Sequence, residues 1–156
     1  IFYRLADIYL MKAEATAQIA TTADEVSAVV TLCNKTYIRA CTDNSDVRDS
    51  LDHATYASPS DAQRLVLEER QRELMFEGKR WFDLVRWSQR DGNTDVLRQM
   101  ALRKYTTNSS VISNKLSKMD AIYWPYNRDE LKVNRLLKQN PAYGSGDEEG
   151  EYEKTN

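Results

Sequence analysis

Four glutamates, Glu68, Glu69, Glu73 and Glu77, are the side chains in this sequence best suited by type to catalysis. Two carboxylates about 5 to 10 Å apart across a sugar-sized cleft can hydrolyse a glycosidic bond. Here, however, arginines follow at helical spacings of three and four residues, which favours ion pairs along helix faces. We therefore interpret the four glutamates as structural and expect no enzyme activity.

Other reactive side chains are sparse. His53 is the only histidine and lies in a segment of loop composition, so we expect neither a Ser/His/Asp triad nor a zinc site. Cys33 and Cys41 fall in one predicted helix, about 12 Å apart along its axis, and a disulfide needs Cα atoms within ~7 Å. We expect two small buried thiols, no metal and no cofactor.

The composition favours a mainly helical protein. The 156 residues include only five Gly and three Pro, and the formal net charge of −2 does not favour a nucleic-acid partner. No apolar run approaches the ~20 residues of a membrane helix, and no signal-peptide pattern is present. The chain starts on a helical pattern at Ile1 without a capping residue, so we expect it to be the carboxy-terminal piece of a longer protein.

The stretch from Leu65 to Trp87 organises the rest of the chain. Its large apolar residues point almost all the way round a helix axis, so neighbours must cover it, and we expect Trp81, Phe82 and Trp87 in the core. Gly78 predicts a kink or a helix end, with a second helix over 79–89. Ion pairs are expected at these positions: Glu68–Arg72, Glu69–Arg72, Arg70–Glu73, Glu77–Arg80, Lys79–Asp83, Arg80–Asp83 and Asp83–Arg86.

A helical hairpin is predicted before this stretch. Residues 2–19 form a helix with one broad apolar face, a turn with a cap follows around Thr22, and a second helix runs over 25–41. Small alanines allow close approach, and the size suits a tetratricopeptide unit of about 34 residues. The apolar face of the first helix carries Leu5, Ile8, Tyr9, Met11, Ala13, Ala15 and Ile19.

The remaining segments alternate between loops and short elements. Residues 43–60 have loop composition, and Ser60 or Asp61 can cap the central helix. Further along, we predict a short helix at 95–105, an exposed loop at 106–119, an extended aromatic segment at 122–126, a helical turn at 128–133, an amide-rich strap at 134–143 and an acidic disordered tail at 144–156.

Three separated stretches resemble the SusD/RagB family. They are RLADIYLMKAEA at 4–15, followed by Asn34, Arg39 and Ala40; ERQRELMFEGKRWFDLVRW at 69–87; and WPYNRDELKVNRLLKQNPAY at 124–143. Their order and spacing agree with the family as well. Lys79 stands where the family usually has His, Asn127 replaces a proline, and Ala142 replaces a glycine. The resemblance spans nearly all of 1–143 and leaves out the tail.

The resemblance implies an all-α, tetratricopeptide-like fold in which packed central helices and long loops accompany the helical hairpin. Its structural signature comprises Glu69, Arg72, Glu73, Glu77, Gly78, Arg80, Trp81, Asp83, Arg86, Trp87, Asn134, Gln139, Asn140, Pro141 and Tyr143. Residues 1–143 would form the carboxy-terminal part of a SusD/RagB-like domain.

The resemblance also implies a surface lipoprotein of Bacteroidetes-type outer membranes. Such a protein captures glycans or other nutrients for a SusC-like, TonB-dependent transporter and is held by a lipidated cysteine upstream of this sequence. Ligand contacts are expected mostly upstream too. The candidates within this chain are Tyr105, Trp124 and Tyr126, near or in loops. The alternative is a tetratricopeptide-type interaction scaffold without a small ligand.

Overall fold

The computed structural model describes residues 4–41, 49–105 and 107–144, and every regular element in these ranges is helical. The described chain therefore has the predicted all-α fold. The described ranges contain seven α-helices: α1 Leu5–Ile19, α2 Ala23–Ala40, α3 Pro59–Glu73, α4 Arg80–Asp91, α5 Asp95–Leu102, α6 Ser109–Leu116 and α7 Arg128–Val133. Short 3-10 turns cover Met119–Ile122 and Pro141–Tyr143. The chain divides into two compact units, with the boundary between Asp83 and Leu84.

The first unit is a three-helix assembly of α1, α2 and α3. The predicted hairpin is present, and α3 packs on both of its helices. Buried side chains from all three helices form one core, with Ala13 and Ala17 at the close approach of α1. The other members of this core include Leu10, Val26, Val29, Val30, Cys33, Leu51, Ala62, Leu65, Val66 and Leu74.

The helix starts in this unit are fixed by side-chain caps. Thr22 caps α2 in a reciprocal capping box, in which its hydroxyl accepts from the Glu25 N–H and the Glu25 carboxylate accepts from the Thr22 N–H. Ser58 caps α3, and Pro59 occupies the first helical position. The prediction of Ser60 or Asp61 as this cap was wrong, although Pro at the first position was a signal for the earlier start.

The apolar face predicted for α1 is only partly in the core. Leu10, Ala13 and Ala17 are buried, but Leu5, Ile8, Met11 and Ile19 are exposed, Leu5 by 65% and Ile19 by 74%. The cause is that α2 and α3 cover one side of α1, while its apolar residues surround more than one side. α1 thus presents a second apolar face to solvent.

The central stretch breaks into two helices where Gly78 was expected to interrupt it. Phe76 and Gly78 both have left-handed φ values, 67° and 72°, between the end of α3 and the start of α4. The prediction that neighbours cover the stretch on every side was wrong, because Met75, Phe76 and Phe82 are exposed. Trp81 and Trp87 are half-buried.

The second unit contains the end of α4, α5–α7 and the two 3-10 turns. Among its described residues, the buried apolar ones are Leu84, Leu97, Ala121 and Ile122. Contacts join α5 to α6 and one 3-10 turn to the other. The helical turn at 128–133 is confirmed as α7, and the short helix predicted over 95–105 ends earlier, at Leu102.

The segment predicted as an exposed loop at 106–119 contains a helix. The exposed loop predicted for 106–119 was wrong, because Ser109–Leu116 form α6. The Thr94 hydroxyl donates to the Leu116 carbonyl at 2.5 Å and fixes the end of this helix. Residues 42–48, Thr106 and the acidic residues from 145 onward, for which a loop or a disordered tail was predicted, lie outside the described residues.

Candidate functional site

The extended segment at 123–126 is held by two amide side chains of the strap. The Gln139 amide donates to the Tyr126 carbonyl at 3.1 Å and accepts from the Tyr126 N–H at 3.0 Å. Asn140 donates to the Asp120 and Tyr123 carbonyls, at 2.8 and 3.3 Å. Gln139 thus pairs with the main chain as a neighbouring strand would, and the amide strap predicted at 134–143 is confirmed at these residues.

The clamped segment displays aromatic side chains. Trp124 is 79% exposed and Tyr126 50% exposed, and residues two apart on an extended chain point to the same side. Tyr123 is anchored, because its hydroxyl accepts from the Gln89 amide at 2.6 Å. Large exposed aromatics on a fixed backbone provide flat apolar surface at little entropic cost.

Tyr105, the third candidate, lies just after α5 and is 51% exposed. Among the described residues, no hydrogen bond or ring contact joins it to Trp124 or Tyr126. Trp124 and Tyr126 thus belong to one clamped segment, and Tyr105 lies outside that segment.

The charged residues of the central stretch form a buried network in the first unit. Arg70 donates to Asp7 at 3.1 Å and to Asp83 at 3.0 Å, and all three side chains are buried. Lys79 also bonds to Asp7. Burial by itself would raise the pKa of Asp7, but the cations Lys79 and Arg70 outweigh it and hold the pKa below its ordinary value.

The four glutamates considered for catalysis divide between ion pairs and the helix surface. Glu69 accepts from the Thr36 hydroxyl at 2.6 Å and from Arg72 at 3.0 Å. Glu73 pairs with Arg4 and Arg39, and Arg4 also reaches Glu77 at 2.8 Å. These three carboxylates therefore accept from arginines, Glu69 and Glu73 within the helices and the exposed Glu77 just after α3. Glu68 is half-buried.

Among the predicted local pairs, Glu69–Arg72 is confirmed, and several charges of the stretch also have distant partners. Glu69–Arg72 forms at 2.8 Å. Arg70 and Glu73 pair with residues on or next to α1 and α2, because those helices pack against α3. Lys79, which follows α3, bonds to Asp7 of α1. Arg80 donates to the Leu67 carbonyl at 2.8 Å.

The remaining signature residues lie at the end of the central stretch and in the strap. Arg90 lies over the Trp87 ring at 4.2 Å, and Arg86 is exposed. In the strap, Asn134 accepts from the Leu136 N–H, Pro141 begins the last 3-10 turn, and the Tyr143 hydroxyl donates to the Ala121 carbonyl at 3.5 Å.

Both cysteines are free thiols. Burial, together with the nearby Glu69 carboxylate, raises the pKa of Cys33 to about 12, so this thiol stays protonated and inert. Cys41 is half-buried at the end of α2, which is less burial than we expected. In the described ranges, no group of three His, Cys, Asp or Glu residues could hold a metal ion. No helix in those ranges is both long and apolar enough to cross a membrane.

The fold and the residue pattern agree with a family of known proteins. The model of the SusD family (SusD_RagB) matches residues 1–143, so this chain belongs to the SusD family. No curated protein and no solved structure shows a significant match to the sequence. Members of the family are helical, tetratricopeptide-like binding proteins, generally outer-membrane lipoproteins that act with SusC-like transporters in nutrient uptake.

Proposed function

We propose that this protein binds a glycan, or another nutrient, at the cell surface without catalysing a reaction. Trp124 and Tyr126 form the ligand-contacting pair of this chain. The observation that carries the proposal is the exposure of both rings on a backbone that Gln139 clamps by two hydrogen bonds. A fixed aromatic surface can stack on the apolar face of a sugar ring without first being ordered.

The absence of catalysis is part of the proposal. The carboxylates of Glu69 and Glu73 accept hydrogen bonds from cations, and Glu69 also from a hydroxyl. A glycosidase needs two carboxyl groups that face each other across a sugar-sized cleft, whereas both of these carboxylates are already bonded to arginines. A hydrolysis assay on the purified protein should show no turnover; turnover abolished by Glu69→Gln and Glu73→Gln would overturn this part.

Membership of the SusD family supports the setting of this binding. The protein would be anchored in the outer membrane by an amino-terminal lipid, face the cell exterior and pass its ligand to a SusC-like, TonB-dependent transporter. Co-purification of such a transporter with the native, membrane-derived protein would test the partnership. A preparation that keeps its ligand affinity but never carries a transporter would count against it.

A second candidate is an interaction scaffold that binds a protein partner and no small ligand. The observation that favours it is the second apolar face of α1, where Leu5, Ile8, Met11 and Ile19 are exposed. Exposed apolar surface of this kind marks protein interaction sites. The two candidates differ in whether any glycan binds.

Calorimetry against a panel of neutral and charged oligosaccharides and peptides separates the candidates. If the aromatic pair binds sugar, Trp124→Ala and Tyr126→Ala should each weaken glycan binding roughly tenfold, a loss of about 1.4 kcal/mol that is typical of an aromatic contact residue. The Gln139 clamp bonds to the main chain of Tyr126, so the backbone pairing remains available in both variants.

Phe82→Ala is the matched control, because Phe82 is a similarly exposed aromatic on α4. It should leave glycan affinity unchanged. Equal affinity in the wild type, Trp124→Ala and Tyr126→Ala would reject the aromatic pair, and a panel with no glycan binding but a peptide hit would favour the scaffold.

A further inference from the structure

A cleft opens between α1 and α2 in the first unit. Its volume is about 300 Å³, at the lower end of the roughly 300 to 1,000 Å³ of small-ligand sites. Arg4, Leu5 and Tyr9 line it on one side, and Lys35 and Arg39 line it on the other. The aromatic pair proposed above does not line this cleft.

The cleft carries more positive than negative charge. Arg4 and Arg39 both bond to the same oxygen of Glu73, and Arg4 also bonds to Glu77. Lys35 is exposed and has no ion-pair partner in the part of the chain that the structure describes. Three cations therefore face two carboxylates, which leaves one positive charge for a ligand to neutralise.

The position of the cations on α2 also favours a ligand. Lys35 and Arg39 are four residues apart, and like charges at this spacing destabilise a helix. Glu73 is shared with Arg4, so Arg39 keeps N–H donors that Glu73 does not use. An incoming carboxylate would relieve the repulsion and accept from both side chains.

Besides Arg4, the α1 side of the cleft carries an apolar and an aromatic side chain. Leu5 is 65% exposed, and the half-buried Tyr9 lies one helical turn further along α1. A ligand that fills the cleft should combine a carboxylate with a compact body that has an apolar face. A sugar ring bearing a carboxylate has both properties.

We propose that this cleft binds a uronic acid residue of a glycan, with its carboxylate on Lys35 and Arg39 and its ring against Leu5 and Tyr9. The choice of a sugar rests on the proposed function. It also agrees with the size of the cleft, because recognised peptides usually take an extended groove or a sheet edge. The positive charge of the cleft would favour a glycan with a carboxylate over a neutral glycan.

Calorimetry with trigalacturonate, the neutral trisaccharide galactotriose and the peptide triglutamate tests the proposal. Trigalacturonate should bind most tightly, and its affinity should fall as salt is added, because exposed charges are screened. Lys35→Gln should weaken trigalacturonate binding by roughly three- to fivefold, the effect of losing one exposed ion pair. Arg39→Gln should weaken it by about tenfold, because a charged hydrogen bond is also lost.

Lys12→Gln is the matched control, since Lys12 is an exposed lysine of α1 that does not line the cleft. It should bind trigalacturonate as the wild type does. Lys35 carries the test even if Arg39→Gln proves unstable, because the Arg39–Glu73 pair also joins α2 to α3.

The outcomes separate this site from the aromatic pair. A distinct uronate site is supported by two results together. Lys35→Gln leaves galactotriose binding unchanged, and the Trp124→Ala and Tyr126→Ala variants still bind trigalacturonate. The proposal fails if trigalacturonate binds no more tightly than galactotriose, or if Lys35→Gln leaves trigalacturonate affinity unchanged. It also fails if triglutamate binds equally well through Lys35, which would assign the cleft to acidic peptides.

Discussion

Arg70 is the centre of the buried charge network in the first unit. Its guanidinium reaches Asp7 on α1 and Asp83 on α4, and its contact with Glu14 at 3.6 Å extends the network along α1. Buried ions are tolerated because each is paired and hydrogen-bonded. The network therefore fixes which side of α3 faces α1.

Replacing Arg70 with Ala should destabilise the protein by about 3 to 5 kcal/mol, because buried carboxylates lose their partner. Arg70→Lys keeps the charge but loses the planar fork that reaches two acids, so its loss should be smaller. Arg64→Ala is the matched control on α3, since the Arg64–Asp61 pair is exposed. It should cost about 0 to 1 kcal/mol. Urea denaturation measures all three, and equal losses for Arg70→Ala and Arg64→Ala would contradict the role of the network.

The sequence indicated that the charges of the central stretch would be paired, but helical spacing could name partners only within that stretch. Spacing along one helix can identify Glu69–Arg72, which are three residues apart. It contains no information on Asp7 or Arg39, which reach α3 only because the helices pack. Long-range pairing depends on tertiary contact, so residue spacing could not have identified it.

At the scale of elements, two amide side chains bond to loop residues in the way that a neighbouring strand would. Asn34 of α2 donates to the Leu51 carbonyl at 3.3 Å and accepts from the Leu51 N–H at 2.9 Å, as Gln139 does with Tyr126. Each amide satisfies both main-chain groups of a loop residue. This pairing gives a physical reason for Asn34 in the family-like stretch.

The start of α2 should lose stability in acid. Hydrogen bonds from the Thr21 and Thr22 N–H groups lower the pKa of Glu25 from 4.5 to about 2. A carboxyl whose folded pKa is lowered contributes stability that is fully present above pH 4.5 and is lost as the pH falls toward 2. Across this window, the difference in free energy of unfolding between the wild type and Glu25→Gln should shrink, as measured by denaturation at several pH values.

Asp24→Asn serves as the control for this pH dependence. It removes a carboxylate from the same first turn but leaves the Glu25 bonds in place. If the difference in free energy of unfolding between the wild type and Glu25→Gln stays constant from pH 4.5 to 2, the capping box does not titrate as described.

Helices with clear caps and periodicity were predictable, whereas α6 was not. Its sequence, SSVISNKL, contains β-branched and short polar residues of modest helix propensity, and Asn108 provides no side-chain cap. Contact with α5 and the Thr94 bond to Leu116 stabilise it instead. Tertiary contacts overrode a weak local preference here.

At the scale of the whole chain, family membership was predictable because three distant stretches agree in order. The amide strap belongs to the third of them, and its contacts show what the motif does: Asn140 and Tyr143 tie the end of the described chain to residues 120–123. The exposure of Trp124 could not be read from the sequence. Pro125 predicts extended backbone, but exposure depends on what the rest of the fold covers.

The family match ends at Tyr143, and so do the described contacts of the strap. We propose that residues 1–143 carry the fold and that the acidic tail adds no stability to it. Deleting 145–156 should therefore change the free energy of unfolding by no more than about 0.5 kcal/mol, as for a surface change. Deleting 140–156 also removes Asn140 and the Tyr143 bond to Ala121, so it should lower stability by about 1 to 3 kcal/mol and increase hydrogen exchange at 120–126. Equal stability of the two truncated proteins would show that the strap does not hold this segment, and a large loss on deleting 145–156 alone would place the tail within the fold.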